Sequence, residues 1–557
     1  MQRRNRMGET EQIRTLVLSQ DTVVGDTIAN EMSQSAGRSV AKSTSLGSSE
    51  VETAHLNLVV ISPGEAPEID RPERIAMLKK ALQTMVARSV DKVILISSGA
   101  IIGPDHNLIG FVSEEAKKRP AIINHYASWW ELVEETVQEE IKAAPGLRLT
   151  VIRCPFLIGG DGNCFIDRVI KRGWLVRCAG FNPPLQFVSV TGLAAAVRHA
   201  SERNLEGIYN LAPEDVVPLL PALKALGVRS IGIPRVIQRV FRPILFQFLD
   251  RVKTTDEIEY FRYPWTISGE KLAADTGLQM SSREALTEAG ANVPEDWPEF
   301  DGFGSDQEFF TRHGKTTFRL AEKAYWRIES RGFKNIPTEG SAIMVGPHRG
   351  FMPLDAVMIF HLIYRNIGRR SRFLIHPTLA KFPFQGLFFQ RMATLIACKE
   401  NARRVLESGE LLGVYPEGIR GTFKRYKEVY DLGRFGRPDY ARFALEFDVP
   451  VVPFAIVGSA EIFPILGKIE WKWLKKYLEW PFVPITPTFP LLPVPLPTKW
   501  HVDFLSPIHP SDVRRQAEEQ GKDPVRVYTD LVRNAIHEAN QEILAQRKSI
   551  YWGRVWK

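Results

Sequence analysis

The sequence predicts an α/β protein of two domains, and three observations support this. The chain has 557 residues, of which 44% are hydrophobic and 24% charged, which is more than one hydrophobic core normally organises. Strands rich in β-branched residues alternate with helical patterns, which is typical of a parallel sheet covered on both faces. A stretch rich in Gly, Pro and acidic residues at 294–305 is typical of a linker.

The first half begins with short apolar runs that predict strands, and helical patterns follow the first three of them. The predicted strands cover residues 14–19, 56–62, 92–98 and 147–153, and the predicted helices cover residues 26–33, 71–86 and 129–142. This half is therefore predicted to be a Rossmann-like parallel sheet. The predicted organisation is a tail at 1–12, a Rossmann-like domain at 13–292, a linker at 293–310 and an α/β domain at 311–557.

Basic charge is concentrated in the second domain. Residues 311–557 contain 38 Lys and Arg against 24 Asp and Glu, a net charge of +14, whereas residues 1–310 carry −6 of the total of +8. Such a surface suits nucleic acid, anionic lipid or phosphorylated substrates, and an ordinary solvated basic face has the same composition. Charge alone does not choose among these.

The cysteines and the N-terminus bear on the compartment. Four cysteines without a CxxC pair predict neither a disulfide framework nor a metal site, so a reducing cytosolic setting is expected. Residues 1–14 are basic but no apolar segment follows them, so no secretory signal is predicted.

Four segments of the first domain carry a family resemblance. They read DKVILISSGAIIGP (91–104), LTVIRCPFLIGGDG (149–162), FVSVTGLAAAVRHA (187–200) and GIYNLAP (207–213). Over about residues 13–291 the chain resembles the extended short-chain dehydrogenase/reductases, which include the nucleotide-sugar epimerases. The resemblance implies a domain built to bind a nicotinamide dinucleotide.

The residues with which that family works are mostly absent. The loop after the first strand reads SQDTVVG, in which Gly25 alone remains of three glycines. The Tyr-x-x-x-Lys pattern reads Tyr126-Ala-Ser-Trp-Trp130, so a tryptophan replaces the lysine, while Ser97 or Ser98 stands at the position of the catalytic Ser/Thr. We therefore predict an inactive domain with no tightly bound cofactor. Residual NAD(P)-dependent activity in a bifunctional protein is the alternative.

In the second domain, VGPHRGFMPLDA (345–356) places His348 and Asp355 around a turn. His348 follows a short apolar strand, and Asp355 is expected in the first helical turn, where Pro353 fits because no amide donor is needed. Gly350 lets the loop fold back, so that the carboxylate can bond one ring nitrogen and leave the other free to accept a proton. A capping aspartate beside a surface histidine would give the same pattern.

Three further segments follow this pair in order. They read GLFFQR (386–391), GVYPEGIRG (413–421) and VPVVPFAIV (449–457). Together with His348 and Asp355 they resemble the four blocks of the glycerolipid acyltransferases, the family of lysophosphatidate and glycerol-3-phosphate acyltransferases, over about residues 315–545. Six residues separate His348 from Asp355, against four in the usual block, which matches a branch with a longer loop and leaves the acceptor open.

The resemblance implies transfer of an acyl chain to a hydroxyl. His348, oriented by Asp355, would take the proton of an acceptor hydroxyl, which attacks an acyl thioester carried by coenzyme A or acyl carrier protein. A non-catalytic lipid-binding or metabolite-binding scaffold is the alternative.

The acceptor site is implied by the same resemblance. Arg420 and Arg391 would clamp an acceptor phosphate, with Lys424 or Arg425 nearby, since guanidinium groups match phosphate oxygens. Glu417 would bond a glycerol hydroxyl or hold the arginine in place, and Gly418 is assigned to the same substrate site.

Lipid substrates imply contact with a membrane, although no run of about 20 apolar residues predicts a spanning helix. Residues 465–480 contain three Trp and four Lys, the mixture found at headgroup level, and a Pro-rich stretch follows to 498. We predict an interfacial anchor at 465–498, with a core hairpin as the alternative. A basic amphipathic helix at 234–253 suits the same boundary, and a helix packed on its own domain or on the next one is the alternative.

The predicted location is therefore the cytoplasmic face of a membrane, with anionic lipid as partner. No nucleic-acid partner is predicted, and the oligomeric state is left open.

Overall fold

The chain divides into two compact units, Met1–Gly304 and Ser305–Lys557. The computed structural model describes residues 13–35, 38–45, 56–66, 68–105, 110–116, 125–161, 164–234, 237, 259–295, 297, 300, 304–350, 352–433, 435–436, 438–470, 481–489, 491 and 494–556.

The first unit is built on a six-stranded sheet in which all neighbouring strands are parallel. Its strands are β1 (Ile13–Ser19), β2 (Arg38–Ser43), β3 (Leu58–Ser62), β4 (Lys92–Ser98), β5 (Arg148–Cys154) and β6 (Gly207–Asn210). The order across the sheet is β2-β1-β3-β4-β5-β6. The direction of strand addition changes beside β1, which makes the carboxyl end of β1 a topological switch point.

Helices cover both faces of this sheet. They include α1 (Thr22–Ser33), α2 (Arg71–Ala87), α3 (His125–Lys142) and α4 (Val190–Glu202). Leu16 and Leu18 pack in the core that contains the buried residues of α2 and α3, whereas Val17 packs in the core formed with α1 and α4. This alternation follows from the two-residue repeat of a strand. The predicted Rossmann-like sheet, covered on both faces, is therefore confirmed.

Shorter elements complete the first unit. The strands are Phe156–Ile158, Trp174–Cys178, Pro184–Leu185, Phe187–Ser189, Val217–Pro218 and Arg229–Ile233, and the helices are Glu68–Asp70, Gly99–Ile102, Phe165–Arg172, Leu219–Ala225, Glu270–Thr276 and Ser282–Glu288.

The loop after β1 is shorter than predicted. The helix α1 begins at Thr22 and not at residue 26, because Asp21 caps it and accepts a hydrogen bond from the backbone N–H of Val24 over 2.9 Å. Gly25 therefore lies inside the helix. A Cβ atom there would be 2.9 Å from the Cβ of Ser19, so Gly25 allows the helix to approach the end of the strand closely.

The second unit contains a seven-stranded mixed sheet. Its strands are β7 (Glu329–Arg331), β8 (Ala342–Val345), β9 (Ser371–Ile375), β10 (Leu395–Ile396), β11 (Leu411–Val414), β12 (Val451–Val457) and β13 (His501–Phe504). The order is β7-β13-β12-β8-β11-β9-β10, and β12 with β13 is its antiparallel pair. The central strand β8 is completely buried between β11 and β12, and its carboxyl end points to the loop of His348. The predicted α/β class of this unit is confirmed.

Helix α5 (Leu354–Ile367) follows that loop and is almost entirely apolar and buried in its first ten residues. Pro353 precedes the helix at the capping position instead of occupying its first turn, and Gly368 ends the helix in a left-handed conformation with φ +78°. Asp355 lies in the first turn, as predicted.

The remaining elements of the second unit surround this sheet. The helices are Gln307–Lys315, Thr317–Leu320, Ala321–Tyr325, Phe333–Asn335, Pro377–Lys381, α6 (Gln385–Arg391), Lys399–Glu407, Ile419–Thr422, Tyr426–Glu428, Asp439–Phe447, Ser459–Ile462, Pro510–Gln520 and Pro524–Gln546, and a hairpin joins Gly467–Ile469 to Val483–Ile485. The helix Gln307–Lys315 begins inside the predicted linker, because Asp306 caps it through the N–H of Phe309.

The middle of one predicted membrane-contacting segment and nearly all of the other lie outside the described residues. Residues 471–480 of the anchor and nearly all of the amphipathic segment 234–253 are not described. In the ranges that are described, no helix has the length and apolar character needed to cross a membrane.

Candidate active site

His348 and Asp355 meet at the carboxyl end of β8. His348 lies in the loop after this strand, and its Nδ1 is 2.8 Å from the Oδ2 of Asp355. Gly350 has a φ of +87°, a conformation that glycine adopts without steric cost, and it reverses the loop as predicted. The contact predicted between the two side chains is present.

The Asp355 carboxylate is completely buried and accepts further hydrogen bonds from the main chain. The N–H of Arg349 donates to Oδ2 over 2.8 Å, and the N–H of Ala356 donates to Oδ1 over 2.8 Å. Because an ionised carboxylate only accepts hydrogen bonds, the Nδ1 of His348 carries the hydrogen of their contact. In the neutral imidazole the Nε2 then carries the lone pair, and among the described residues it has no hydrogen-bond partner, on a side chain that is 16% exposed.

Tyr415 supports the plane of the imidazole. Its ring stacks on that of His348, with centroids 4.5 Å apart and an interplanar angle of 18°. It also stacks on the ring of Phe373, with centroids 5.3 Å apart. Burial, together with the charge of Asp355, raises the pKa of the Tyr415 hydroxyl well above its usual value, so the ring stays neutral. Tyr415 is a site residue that was not predicted from the sequence, although it lies two positions before Glu417.

Glu417 is the centre of a buried ion network. Its Oε2 accepts from the Nη1 of Arg349 over 2.8 Å, and its Oε1 accepts from the Nζ of Lys424 and, over 2.8 Å, from the N–H of Gly433. The side chains of Arg349 and Glu417 are 0% and 2% exposed. Of the two roles predicted for Glu417, these contacts favour holding an arginine. That arginine is Arg349 and not Arg420, because Arg349 is the one buried against the turn.

The network keeps Glu417 ionised. Burial by itself would raise the pKa of Glu417, but the charges of Arg349 and Lys424 and the hydrogen bonds from Lys424 and the Gly433 amide outweigh it, and the pKa lies below its usual value. Burial, and then the charge of Arg349, lowers the pKa of Lys424.

The turn that carries Glu417 packs directly on the loop of His348. A Cβ atom at Gly421 would lie 3.0 Å from the carbonyl oxygen of His348 and 2.9 Å from the Cβ of Glu417. Gly418 has φ +55° and ψ −146°, which residues with a side chain rarely adopt. Both glycines therefore shape the turn, whatever ligand it contacts.

The predicted phosphate ligands have different surroundings. Arg420 is exposed, and within the described ranges no carboxylate pairs with it. Arg391 lies on α6 with its Nη2 3.1 Å from the Oδ2 of Asp306 and its guanidinium 4.6 Å from the ring centroid of Phe309. Lys424 is held by Glu417. Arg420 is thus the one of the three without a carboxylate partner among the described residues, while Arg391, whose side chain is 39% exposed, and Lys424 each pair with a carboxylate.

In the first unit, carboxylates occupy the amino end of α1. The Oδ1 of Asp21 accepts from Val24, and the Oδ2 of Asp161 accepts from the N–H and from the hydroxyl of Thr22, over 3.1 Å each. The amino end of this helix is where a Rossmann fold binds the pyrophosphate of a dinucleotide. Here its first amides already have acidic partners within the protein.

More negative charge surrounds this helix end. A Cβ atom at Gly160 would lie 2.8 Å from carboxylate oxygens of both Asp21 and Asp167. Burial raises the pKa of Asp167 to about 6. The charge of Asp21 also raises this pKa, whereas hydrogen bonds from the backbone of Gly159 and Gly160 lower it. Burial also raises the pKa of Asp21. This region is therefore unfavourable for a phosphate anion.

The residues that match the dehydrogenase pattern have internal contacts. The Tyr126 hydroxyl donates to the Oε1 of Glu65 over 2.6 Å, and the Ser97 hydroxyl donates to Glu134 over 2.6 Å. Trp130, at the position of the lysine, is 6% exposed and part of the core. Among the described residues, no group of three or more His, Cys, Asp or Glu side chains is arranged to hold a metal ion, and the four cysteines form no disulfide bond with one another.

Comparison with known proteins identifies the second unit. A sequence model of the family Acyltransferase matches residues 327–457, which include His348, Asp355 and the turn of Glu417. An uncharacterised protein of Mycobacterium tuberculosis (strain ATCC 25618 / H37Rv) is 36% identical over 261 residues, which are 45% of this chain and 72% of that protein. The chain belongs to the acyltransferase family. The prediction of an acyltransferase is confirmed at this level.

Two other relatives of this acyltransferase have functional names. A Bos taurus protein named "DGAT1/2-independent enzyme synthesizing storage lipids" is 28% identical over 209 residues, which are 37% of this chain and 60% of that protein. "Phytyl ester synthase 2, chloroplastic" of Arabidopsis thaliana is 30% identical over 145 residues, which are 24% of this chain and 20% of that protein.

Solved structures similar to the acyltransferase match about half of its length. MoeE5 in complex with UDP-glucuronic acid and NAD is 16% identical and covers 49% of this chain and 96% of its own, with a TM-score of 0.38. Human epimerase family protein SDR39U1 with NADPH is 17% identical and covers 50% of this chain and 99% of its own, with a TM-score of 0.39. The Rossmann-like character of the first unit follows from its parallel strands and their order.

Proposed function

We propose that the second unit transfers an acyl chain from a thioester, carried by coenzyme A or acyl carrier protein, to a hydroxyl of a glycerolipid acceptor. The observation that carries this proposal is the 2.8 Å hydrogen bond from the Nδ1 of His348 to Asp355, which leaves Nε2 as the proton acceptor. The hydroxyl oxygen attacks the thioester carbonyl while His348 takes its proton. The C–S bond breaks, the thiolate leaves and receives that proton, and an ester replaces the thioester.

Two observations bear on the acceptor. The exposed guanidinium of Arg420 suits a phosphate, which supports lysophosphatidate or another phosphorylated glycerolipid. One relative is named for the synthesis of storage lipids, which supports a neutral glyceride. We propose the phosphorylated acceptor and keep the neutral glyceride as the alternative.

Mass spectrometry of the products formed from lysophosphatidate, monoacylglycerol and diacylglycerol tests both. Because a charge-assisted hydrogen bond contributes about 1.5–3 kcal/mol, Arg420→Ala is expected to raise the KM for lysophosphatidate roughly 10- to 100-fold and to leave the KM for neutral acceptors unchanged. Arg515→Ala, an exposed arginine of the helix Pro510–Gln520, is the control.

Two results would count against the proposal. Equal effects of Arg420→Ala on the KM for both acceptor classes would contradict the proposed binding of an acceptor phosphate by Arg420. No thioester release with any acceptor in the presence of liposomes would favour the non-catalytic scaffold.

We further propose that the protein works at the cytoplasmic face of a membrane with anionic lipid. The hairpin that flanks residues 471–480 has exposed apolar side chains, with Leu466 65% and Ile469 48% exposed. Each basic residue near an anionic surface contributes about 1 kcal/mol, so replacing Lys472, Lys475 and Lys476 by glutamate is expected to abolish sedimentation with anionic vesicles at moderate salt. Unchanged sedimentation would place the anchor elsewhere.

For the first unit we propose a structural or regulatory role without dinucleotide binding. The support is the pairing of the first amides of α1 with Asp21 and Asp161, together with the core position of Trp130.

A further inference from the structure

Arg349 connects the two elements that carry the proposed chemistry. Its backbone N–H donates to the Oδ2 of Asp355, the same atom that His348 contacts, and both distances are 2.8 Å. Its side chain reaches Glu417, 68 residues later in the sequence, through Nη1 over 2.8 Å. One residue therefore bonds to the acid of the His348 pair by its main chain and to the turn of Arg420 by its side chain.

The burial of Arg349 is costly, which argues against a role in stability alone. The side chain is completely buried, and its Nε and Nη2 atoms have no hydrogen-bond partner among the described residues. A buried ion pair is often no more stable than well-packed apolar side chains of similar volume. Neutralising Glu417 does not require Arg349 either, because Lys424 bonds the same carboxylate.

What Arg349 adds is a connection between the turn and the loop of His348. Lys424 lies on the far side of the turn in sequence and bonds Glu417 and the carbonyl oxygen of Asp431. Arg349 alone among these partners belongs to the His348 loop. The close approach of Gly421 to the carbonyl oxygen of His348 gives the turn and the loop a second point of contact.

We propose that Arg349 is a positioning residue, which through Glu417 holds the turn of Arg420 in register with the Nε2 of His348. This inference rests on the proposed function, in which Arg420 binds the acceptor and His348 takes its proton. An acceptor hydroxyl must lie within hydrogen-bond reach of the base, and displacement of the acceptor by about 1 Å can cost on the order of a hundredfold in rate.

Arg349→Met keeps most of the side-chain volume and removes the bond to Glu417. We expect the acceptor KM to rise about tenfold and kcat to fall tenfold or more, because positioning of the acceptor strongly affects rate. The KM of the acyl thioester should stay within about twofold, because the proposed displacement affects the acceptor side. Arg349→Lys, which keeps the charge, should fall between Arg349→Met and the wild type.

Arg547→Met is the matched control. Arg547 and Glu461 form an ion pair in the same unit with side chains that are 6% and 5% exposed. Its loss breaks a buried pair of the same type without removing a contact to the His348 loop or to the turn. Kinetic effects common to both variants measure loss of folded protein, and effects confined to Arg349→Met measure positioning.

The double variant Arg349→Met with Glu417→Met covers the case in which Arg349→Met does not fold. In Arg349→Met, Lys424 alone compensates the buried carboxylate of Glu417. Removing that carboxylate as well eliminates the partly compensated buried charge, and Lys424 keeps its bond to the carbonyl oxygen of Asp431, so the fold should return. A purely structural pair predicts that the acceptor KM returns with the fold, and that result would overturn the inference. A positioning pair predicts a folded protein whose acceptor KM stays about tenfold raised.

Hydrogen–deuterium exchange separates failure of this inference from failure of the proposed function. Arg349→Met should speed exchange in peptides covering both 345–356 and 415–424, and Arg547→Met in neither. If the wild type forms no product with any acceptor, the proposed function is wrong and exchange alone decides the coupling. Unchanged exchange in either peptide, or an unchanged acceptor KM in folded Arg349→Met, overturns the inference.

Discussion

The two units use carboxylates at the ends of parallel strands in opposite ways. In the first unit, Asp21 and Asp161 accept hydrogen bonds from the first backbone amides of α1, and Glu65 accepts one from the hydroxyl of Tyr126. In the second unit, Asp355 accepts a hydrogen bond from one nitrogen of His348. The other nitrogen of this partly exposed ring has no protein partner among the described residues.

This difference shows that fold does not determine chemistry at a sheet edge. Acidic side chains in the first unit saturate the groups that would bind an anion. In the second unit the acid is buried and bonds the imidazole of His348, and the exposed charge on the turn that packs on this loop is the cation Arg420. The group that each carboxylate bonds therefore distinguishes the two edges, and only the second suits the proposed catalysis.

The largest effect on activity is expected from substitution of His348, the side chain whose second nitrogen has no partner among the described residues. His348→Ala should reduce acyl transfer by about 10² to 10⁴ while leaving the circular dichroism spectrum unchanged, since general-base catalysis contributes within that range and a loop residue contributes little to the core. His509→Ala, at an exposed histidine before the helix Pro510–Gln520, should be neutral. Normal turnover in His348→Ala would show that the second unit does not use His348 as a base, and the contrast drawn with the first unit would be wrong.

Asp355→Asn is expected to cost less, on the order of 10² to 10³ in turnover, with little change in acceptor binding. An asparagine can present its amide to the ring and favour the other tautomer, a change that costs about 10⁴ in a serine protease. Asp439→Asn is the control, because Asp439 also lies in the first turn of a helix of this unit. If both variants are nearly normal while Glu417→Gln is inactive, Asp355 serves only its helix.

The charged edge of the first unit should respond to pH with a defined sign. Because the folded-state pKa of Asp167 is raised from 3.8 to about 6, its ionisation costs stability above pH 6, and this cost disappears below 3.8. Asp167→Asn is therefore expected to stabilise the first unit at pH 7.5 by roughly 1–3 kcal/mol, since one pKa unit corresponds to about 1.4 kcal/mol.

Urea denaturation of the full chain at pH 7.5 and pH 4 measures this effect, which should shrink towards zero at the lower pH. Asp26→Asn on the exposed face of α1 is the control, because an exposed ion pair such as Asp26 with Lys42 contributes at most about 1 kcal/mol. Destabilisation by Asp167→Asn at pH 7.5 would contradict the account of a crowded acidic edge.

The smallest expected effect is that of dinucleotides on the first unit, where we predict none. A ligand present at 100 times its Kd would stabilise the fold by about 2.7 kcal/mol, so millimolar NADH or NADPH should give neither a thermal shift nor a calorimetric signal. Asp161→Asn, which removes a charge beside Thr22, is the variant most suited to gain weak binding. Micromolar binding by the wild type would contradict the comparison directly.

Much of the fold followed from local patterns in the sequence. The strand at 92–98 is found at the predicted residues, and the others differ from prediction by one or two residues. The pairing of His348 with Asp355 was also predictable, because both lie within one strand-loop-helix segment whose glycine and proline restrict the backbone. In such segments the chemistry and spacing of neighbouring residues largely determine the geometry.

Only the tertiary structure shows which residues distant in the sequence meet at the helix end of α1 and at the His348 loop. The bond from Thr22 to Asp161 joins residues 139 apart, and the pair of Arg349 with Glu417 joins residues 68 apart. Tyr415 meets His348 because β11 lies beside β8 in the sheet. No local pattern encodes these contacts, because the packing of strands and helices brings the groups together and burial in a low-dielectric interior then requires each charge to find a partner.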